Sequence, residues 1–276
     1  MDKSTLKQYW YELRDQCLYM YRRQEDATHK AFIYLGVGSH VRAIETVQES
    51  YDGLFKVYGF ELVTPNKCRK FFHIDFKECE AWYSAIVKAC EMNGMLGDKY
   101  EMKERIANGT EGTVWRAVRT EDEKSVAIKV VKKSKLDQDS LISLHHEIEI
   151  LMSCSHSHIV ECYEVLEDEE HVYIVMEHMR GGTLRHYMMS RKRHISEEVI
   201  AKIGHQLIMA LYYLSQMSIV HRDIKPDNIL IKEPVTDPFD IHTAPEIKLM
   251  DFGLSQYLGA NERSTLPFGT LTYVAP

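Results

Sequence analysis

The sequence predicts an α+β protein of two domains, and three observations carry that reading. Up to about residue 93, short aromatic and β-branched runs alternate with polar or Gly-containing turns, the pattern of consecutive antiparallel strands. One amphipathic helix closes that stretch. Beyond residue 100 the order becomes strands, a long helix, more strands, then mainly helix and loop. A chain of 276 residues has the length for two hydrophobic cores.

In the first domain, residues 1–93, the strand-like runs are YWYEL, CLYMY, AFIYLGV, LFKVYGFELV and KCRKFFHI. Asp75, followed three residues later by Glu78, then starts a helix. Trp82, Ala85, Ile86, Ala89 and Cys90 recur on one of its faces, and Asn93-Gly94 is expected to end it. Residues 94–99 (GMLGDK) read as a linker. In the second domain, residues 100–276, the acidic turn 167–170 and the three-proline segment 232–246 read as surface loops.

Composition removes several function classes. The chain is 45% hydrophobic and 27% charged, with a net charge of −7, so no global basic surface points to nucleic acid. No apolar run approaches the roughly 18 to 20 residues needed to span a bilayer, and the N-terminus lacks an apolar secretory core. The six cysteines are scattered without a C-x-x-C pair, which suits reduced thiols better than disulfides or zinc. A cytoplasmic location, with a peripheral-membrane one as the alternative, is expected.

The chemistry concentrates in a few short motifs. In IANGTEGTV, Ile106 to Val114, Gly109 and Gly112 would let backbone N–H groups approach phosphate oxygens, although Ala107 stands where a first glycine would complete G-x-G-x-x-G. Lys129 ends the otherwise apolar run VAIK. Eighteen residues later, Glu147 lies on a helix patterned by Leu144, Ile148 and Leu151, which would turn it toward that ammonium. In HRDIKPDNIL, Asp223 could take a hydroxyl proton, Lys225 could sit beside a transferring phosphoryl, and Asn228 offers a neutral oxygen to Mg²⁺. Asp251, in DFG, offers a charged oxygen; two hard oxygen ligands on separate loops suit Mg²⁺ better than a transition metal.

In this order, and followed by Gly269-Thr270-x-x-Tyr273-x-Ala275-Pro276, these motifs resemble the eukaryotic protein kinases over about residues 98–276. The resemblance implies a bilobal fold with an N-lobe at 100–176, a hinge at 177–182 and a partial C-lobe at 183–276. It implies ATP and Mg²⁺ as cofactors and a protein substrate. Lys129 would contact the α- and β-phosphates and pair with Glu147. Asp223 would be the base, Lys225 would steady the γ-phosphoryl, and Asn228 and Asp251 would bind metal. Glu177 and Met179 would present backbone to adenine, with Met176 before them, while Ile106, Val114, Ala127 and Leu230 would enclose the purine. Leu151, His221 and Phe252 match the stack that aligns the active state.

Lys225 and Thr270 are similar to the serine/threonine members. Within them the text looks most like the calcium/calmodulin-dependent and calcium-dependent group, although neither an EF-hand loop nor a calmodulin-target helix stands in the chain. Thr183 occupies a position where many kinases that prefer arginine upstream carry Glu. The resemblance pairs Arg222 with a phosphorylated residue of the activation segment, Thr265 first and Ser264 second. The chain stops at Pro276, before the helices that complete the larger lobe, so the fold is expected to be truncated after the activation segment. The alternative reading is a nucleotide-binding pseudokinase, scaffold or inactive fragment.

Residues 1–93 resemble a pleckstrin-homology domain, a β-barrel or sandwich closed by a C-terminal helix. LKQYWYELRDQCLYMYRR matches its second and third strands, and the Trp82 helix its last element. Its first strand should precede Leu6, where few residues stand, so either the chain starts inside the sheet or the sheet lacks a strand. The resemblance implies a targeting or regulatory module. The partner it implies is a phosphoinositide membrane, with Lys7 present and Tyr9 in place of a second basic residue for a lipid headgroup, or alternatively a protein or another part of the same chain.

Overall fold

The structure is a computed structural model that describes residues 8–27, 29–44, 48–49, 56–91, 96–109, 112–190, 195–235, 243–258, 270 and 272–273. The chain divides into two compact units, residues 1–94 with 136–145, and residues 95–135 with 146–276.

The first unit opens with a three-stranded antiparallel sheet of β1 (Trp10–Arg14), β2 (Cys17–Tyr21) and β3 (Ala31–Tyr34) in that order. A second sheet joins β4 (His40–Ala43), β6 (Lys56–Thr64) and β5 (Gln48–Glu49), with β7 (Lys67–His73) also paired to β6. The expected strand before Leu6 falls on residues 1–7, outside the described residues. Helix α1 (Phe76–Cys90) starts where Asp75, in extended backbone, accepts the Glu78 N–H at 3.1 Å. It buries Cys79, Ile86 and Ala89 in a core with Leu18, Ile33, Leu35, Phe60 and Leu62, and Trp82 packs partly buried against them. Ala85 is exposed, contrary to the sequence pattern. The buried stripe runs through 79, 82, 86 and 89, and Ala85 lies beyond its edge. The helix ends at Cys90, while Asn93-Gly94 lie outside the described residues. Within the same unit, the His145 ring packs on Tyr34 with centroids 5.4 Å apart.

The second unit begins with α2 (Leu96–Lys99), so part of the expected linker is helical and its Leu96 packs on this unit's core. Strands β8 (Tyr100–Asn108), β9 (Thr113–Arg119), β10 (Ser125–Lys132), β11 (Cys162–Glu167) and β12 (His171–Glu177) form one antiparallel sheet in the order β11-β12-β10-β9-β8. Tyr100, Ala117, Val126, Ile128, Leu166 and Val175 form a core under it. The acidic turn between β11 and β12 is held by Asp168, whose Oδ1 accepts the N–H groups of Glu170 and His171 at 2.8 and 2.7 Å. Helix α3 (Gln138–Ser153) buries Leu144, Ile148 and Leu151, the three positions its spacing marks.

Helices α4 (Leu184–Ser190) and α5 (Glu197–Gln216) follow. Ser196 caps α5, which buries Val199, Ala210 and Leu214 while Ile200, Ile208 and Tyr212 stay exposed. Two short antiparallel pairs then frame residues 221–228. Strand β13 (Ile219–Val220) pairs with β16 (Gln256–Tyr257), and β14 (Ile229–Ile231) with β15 (Ile247–Leu249). Residues 221–228 are thus anchored at both ends by strands. The register Ile229↔Leu249 brings the chain entering Asp251 beside Asn228, whose carbonyl accepts the Met250 N–H at 2.9 Å. Among the described residues no helix is long and apolar enough to cross a membrane.

The closure of the first unit by α1 is testable. Ile86→Ala is expected to destabilise that unit by about 2–5 kcal/mol through lost transfer energy and a residual cavity. Denaturant titration followed by Trp fluorescence checks it; a midpoint unchanged from wild type would mean that α1 does not close this core.

Candidate active site

The upper half of the site is built on the sheet. Lys129 sits in β10 opposite Val114 of β9 and Ile174 of β12, with its side chain 16% exposed. Its Nζ donates to both carboxylate oxygens of Glu147 on α3 at 2.8 Å, and the Glu147 side chain is 4% exposed. Two opposite charges this buried offset part of each other's desolvation cost. Ala127, two residues before Lys129 in the same strand, is buried opposite Met176.

The glycine-bearing hairpin comes from β8 and β9, with Ala107 opposite Val114 and the Gly109 N–H donating to the Gly112 carbonyl at 2.8 Å. A Cβ on Gly112 would lie 2.3 Å from the Val130 carbonyl oxygen, so only glycine fits there. Thr110 and Glu111 lie outside the described residues, and Ile106 is 44% exposed on the hairpin. At the end of β12, the Glu177 N–H is bonded to the Glu161 carbonyl and its side chain pairs with Lys248 at 2.5 Å; Met179 is buried. Nothing local in the sequence marks a β15 lysine as reaching Glu177. Leu230 pairs with Lys248 in the β14–β15 ladder and bridges to Thr183.

The lower half centres on Asp223, which is 7% exposed. Its Oδ2 accepts from Lys225 Nζ at 2.6 Å and Asn228 Nδ2 at 2.8 Å. Its Oδ1 accepts from the Thr270 hydroxyl at 2.7 Å and the Thr270 N–H at 3.2 Å. Burial alone pushes this carboxyl up, but the donors from Lys225, Thr270 and Asn228 outweigh it and hold it below the usual carboxylate range. Asn228 spends its Nδ2 on the carbonyl and carboxylate of Asp223, which leaves Oδ1 as the face that can meet a cation. Asp251 follows β15 with φ +69, and its Oδ1 accepts the Gly253 N–H at 3.4 Å. These two oxygens fit a Mg²⁺ ion, a hard cation that keeps water and substrate phosphate in its shell. Among the described residues no group of three or more His, Cys, Asp or Glu gathers as a protein-only metal cage.

His221, 2% exposed, supports the loop from beneath. Its Nδ1 accepts the Asp223 N–H at 3.3 Å, so Nε2 carries the proton and donates to the Met250 carbonyl at 3.0 Å. Its ring lies 5.0 Å from that of Phe252, which is 1% exposed; Leu151 is likewise buried. Arg222 adopts φ +66 and donates to the Leu254 carbonyl at 2.5 Å and Gln256 Oε1 at 2.9 Å. Left-handed backbone at two non-glycine residues, Arg222 and Asp251, costs on the order of 1–3 kcal/mol each and persists only where the surroundings over-determine it. Ser264 and Thr265 lie outside the described residues.

Residues 100–276 match the family model described as "Protein kinase domain". The chain belongs to the protein kinase family. It is 33% identical over 182 residues to the NUAK family SNF1-like kinase 1 of Homo sapiens, covering 66% of this chain and 26% of that protein. It is 33% identical over 190 residues to the CBL-interacting protein kinase 2 of Oryza sativa subsp. japonica, covering 67% and 40%. With the serine/threonine-protein kinase ULK3 of Mus musculus it shares 34% over 180 residues, covering 65% and 36%. The chain thus spans between about a quarter and two-fifths of the length of these curated relatives. The kinase motifs of the sequence are accordingly brought into two hydrogen-bonded clusters, Lys129 with Glu147 and Asp223 with Lys225, Asn228 and Thr270. Thr270 as a direct partner of Asp223 is the addition that sequence spacing could not give, since 47 residues separate the two.

The His221 tautomer has a pH signature. Burial holds its imidazole below the ordinary histidine value, so the unfolded chain binds the proton that the native state refuses. Stability from this group is present above about pH 6.5 and is lost as pH falls below it. His221→Tyr is expected to flatten the acid side of a Tm-versus-pH curve between pH 5 and 7 relative to wild type; parallel curves would contradict the neutral-imidazole assignment.

Proposed function

We propose that this chain transfers the γ-phosphoryl group of ATP to a serine or threonine hydroxyl of a protein substrate. The observation that carries the reading is a buried Asp223, kept ionised by Lys225, Asn228 and Thr270, beside an asparagine oxygen and an aspartate suited to Mg²⁺. Lys129, oriented by Glu147, would meet the α- and β-phosphates as a fixed point charge. The Gly112 cradle would let backbone approach the phosphates, and Ile106, Val114, Ala127 and Leu230 would line the purine with Glu177 and Met179 presenting backbone. Mg²⁺ held by Asn228 and Asp251 would supply neutralisation of phosphate charge.

In the transfer step, the substrate hydroxyl displaces part of the Thr270 and Lys225 hydrogen bonding at Asp223. Asp223 accepts the hydroxyl proton as the oxygen bonds to phosphorus, and the bond from phosphorus to the departing diphosphate oxygen breaks. Lys225, released toward the transferring group, balances its charge. Asp223 ionised well below neutral pH is in the form this role needs. Support for the serine/threonine class comes from the serine/threonine-protein kinase among the relatives and from Lys225 and Thr270 meeting at the base.

For residues 1–93 we propose a pleckstrin-homology-like targeting or regulatory module in the cytoplasm. Two antiparallel sheets followed by a helix that plugs their core support it. Near its start, Lys30 lies 4.6 Å above the Tyr9 ring and donates to its hydroxyl. For Arg222, Thr265 is the proposed phosphorylated partner and Ser264 the second. Thr265→Ala should lower activity several-fold in a phosphorylated preparation, read by peptide phosphorylation; equal activity would remove the assignment.

The central test is Asp223→Asn, which keeps volume and hydrogen bonding but not the base. Phosphoryl transfer is expected to fall by about 10²–10⁴-fold while nucleotide binding and Tm stay near wild type. Full activity in this variant would refute the base assignment, and nucleotide binding with no phosphoryl transfer by the unsubstituted chain would favour the pseudokinase or scaffold reading.

A further inference from the structure

Beside the base, Asp227, Arg185 and Tyr273 form a chain of contacts that the transfer step does not use. Asp227 stands on the single helical turn Pro226–Asn228, between Lys225 and Asn228, with its side chain 41% exposed. Arg185, in the first turn of α4, donates from Nε to Asp227 Oδ1 at 2.6 Å and from Nη2 to the Tyr273 hydroxyl at 3.1 Å. Tyr273 in turn donates its N–H to the Thr270 carbonyl at 2.8 Å, and Thr270 bonds Asp223. A closed circuit therefore runs Asp223–Thr270–Tyr273–Arg185–Asp227 and back along the loop. Arg185 and Tyr273 are 45% and 44% exposed, so the circuit is a solvent-facing rim.

Any peptide whose hydroxyl reaches Asp223 must lay its neighbouring residues near this rim, because the acceptor's neighbours extend only about 3.3–3.6 Å per residue. A lone carboxylate there would attract lysine or arginine on the substrate. That carboxylate is already taken, by a guanidinium from the protein's own chain. Thr183, which bridges to Leu230 and caps the start of α4 at the His186 N–H, adds no negative charge.

We propose that Arg185 is a specificity-determining residue: by occupying Asp227 it stands in for a basic substrate side chain and makes the kinase indifferent to arginine or lysine near the phosphoacceptor. The proposal rests on the kinase reading above for its catalytic readout. Removing the arginine uncovers the acid, and the uncovered acid selects basic peptides.

The test uses the full chain and a peptide set with one serine acceptor and Arg or Gln placed at each of the neighbouring positions. The quantity read is the ratio of kcat/KM for the Arg peptide over the Gln peptide, in which any overall loss of activity cancels. Wild type is expected near unity at every position. Arg185→Ala should raise the ratio about 3- to 5-fold at one or two positions, the range an exposed charge pair delivers, and the gain should fade toward 1 M salt. Arg185→Lys should stay near wild type, and Arg185→Ala combined with Asp227→Asn should return to unity. Fluorescence anisotropy of the same labelled peptides reads the ratio without turnover. A ratio in Arg185→Ala equal to wild type in both assays, or a gain that survives Asp227→Asn, overturns the proposal. A shifted binding ratio with no phosphoryl transfer from any variant would instead sink the kinase reading and leave this one standing.

Discussion

A nearly buried carboxylate cannot stay charged without donors, and Asp223 collects four of them from three residues. Stripping water from an isolated anion costs several kcal/mol even after relaxation, so each donor has to be fixed by the fold. That requirement explains much of the surrounding architecture. Asn228 is held because β14 begins immediately after it. Thr270 must return from 47 residues downstream, and Lys225 must bend back over the loop. The same carboxylate, once satisfied, has the protonation state that accepting a hydroxyl proton demands.

The loop that carries it is strained and anchored in compensation. Arg222 and Asp251 both sit in left-handed backbone, on either side of the β14–β15 ladder. Their cost is balanced by the His221 bridge from the Asp223 N–H to the Met250 carbonyl, by the Phe252 ring against that imidazole, and by the Arg222 guanidinium on Leu254 and Gln256. Each anchor ties one loop to the other. The geometry of the Asp223, Asn228 and Asp251 oxygens is therefore one property of the pair of loops, not of either alone.

Some of this was legible beforehand for local reasons. The Asp75 cap, the Leu144, Ile148 and Leu151 stripe and the strand runs follow from period and capping chemistry, which act within a few residues. Ala85 falls outside the stripe because a stripe's edge depends on what the helix packs against. The 94–99 connector hid α2 because a four-residue helix owes its existence to Leu96 finding a core. The pairs Lys248–Glu177 and Arg185–Asp227 were not legible either. Each joins residues more than 40 positions apart, with no motif to mark both ends.

The sequence by itself determined the inventory: which residues can be base, phosphate ligand and magnesium ligand, in an order that marks a protein kinase domain. It did so because phosphoryl transfer constrains residue type at short spacing within single loops. Only the tertiary structure decided the company those residues keep. Thr270 lies on Asp223 and Arg185 on Asp227 because sheet register and loop anchoring, not proximity along the chain, bring charges together.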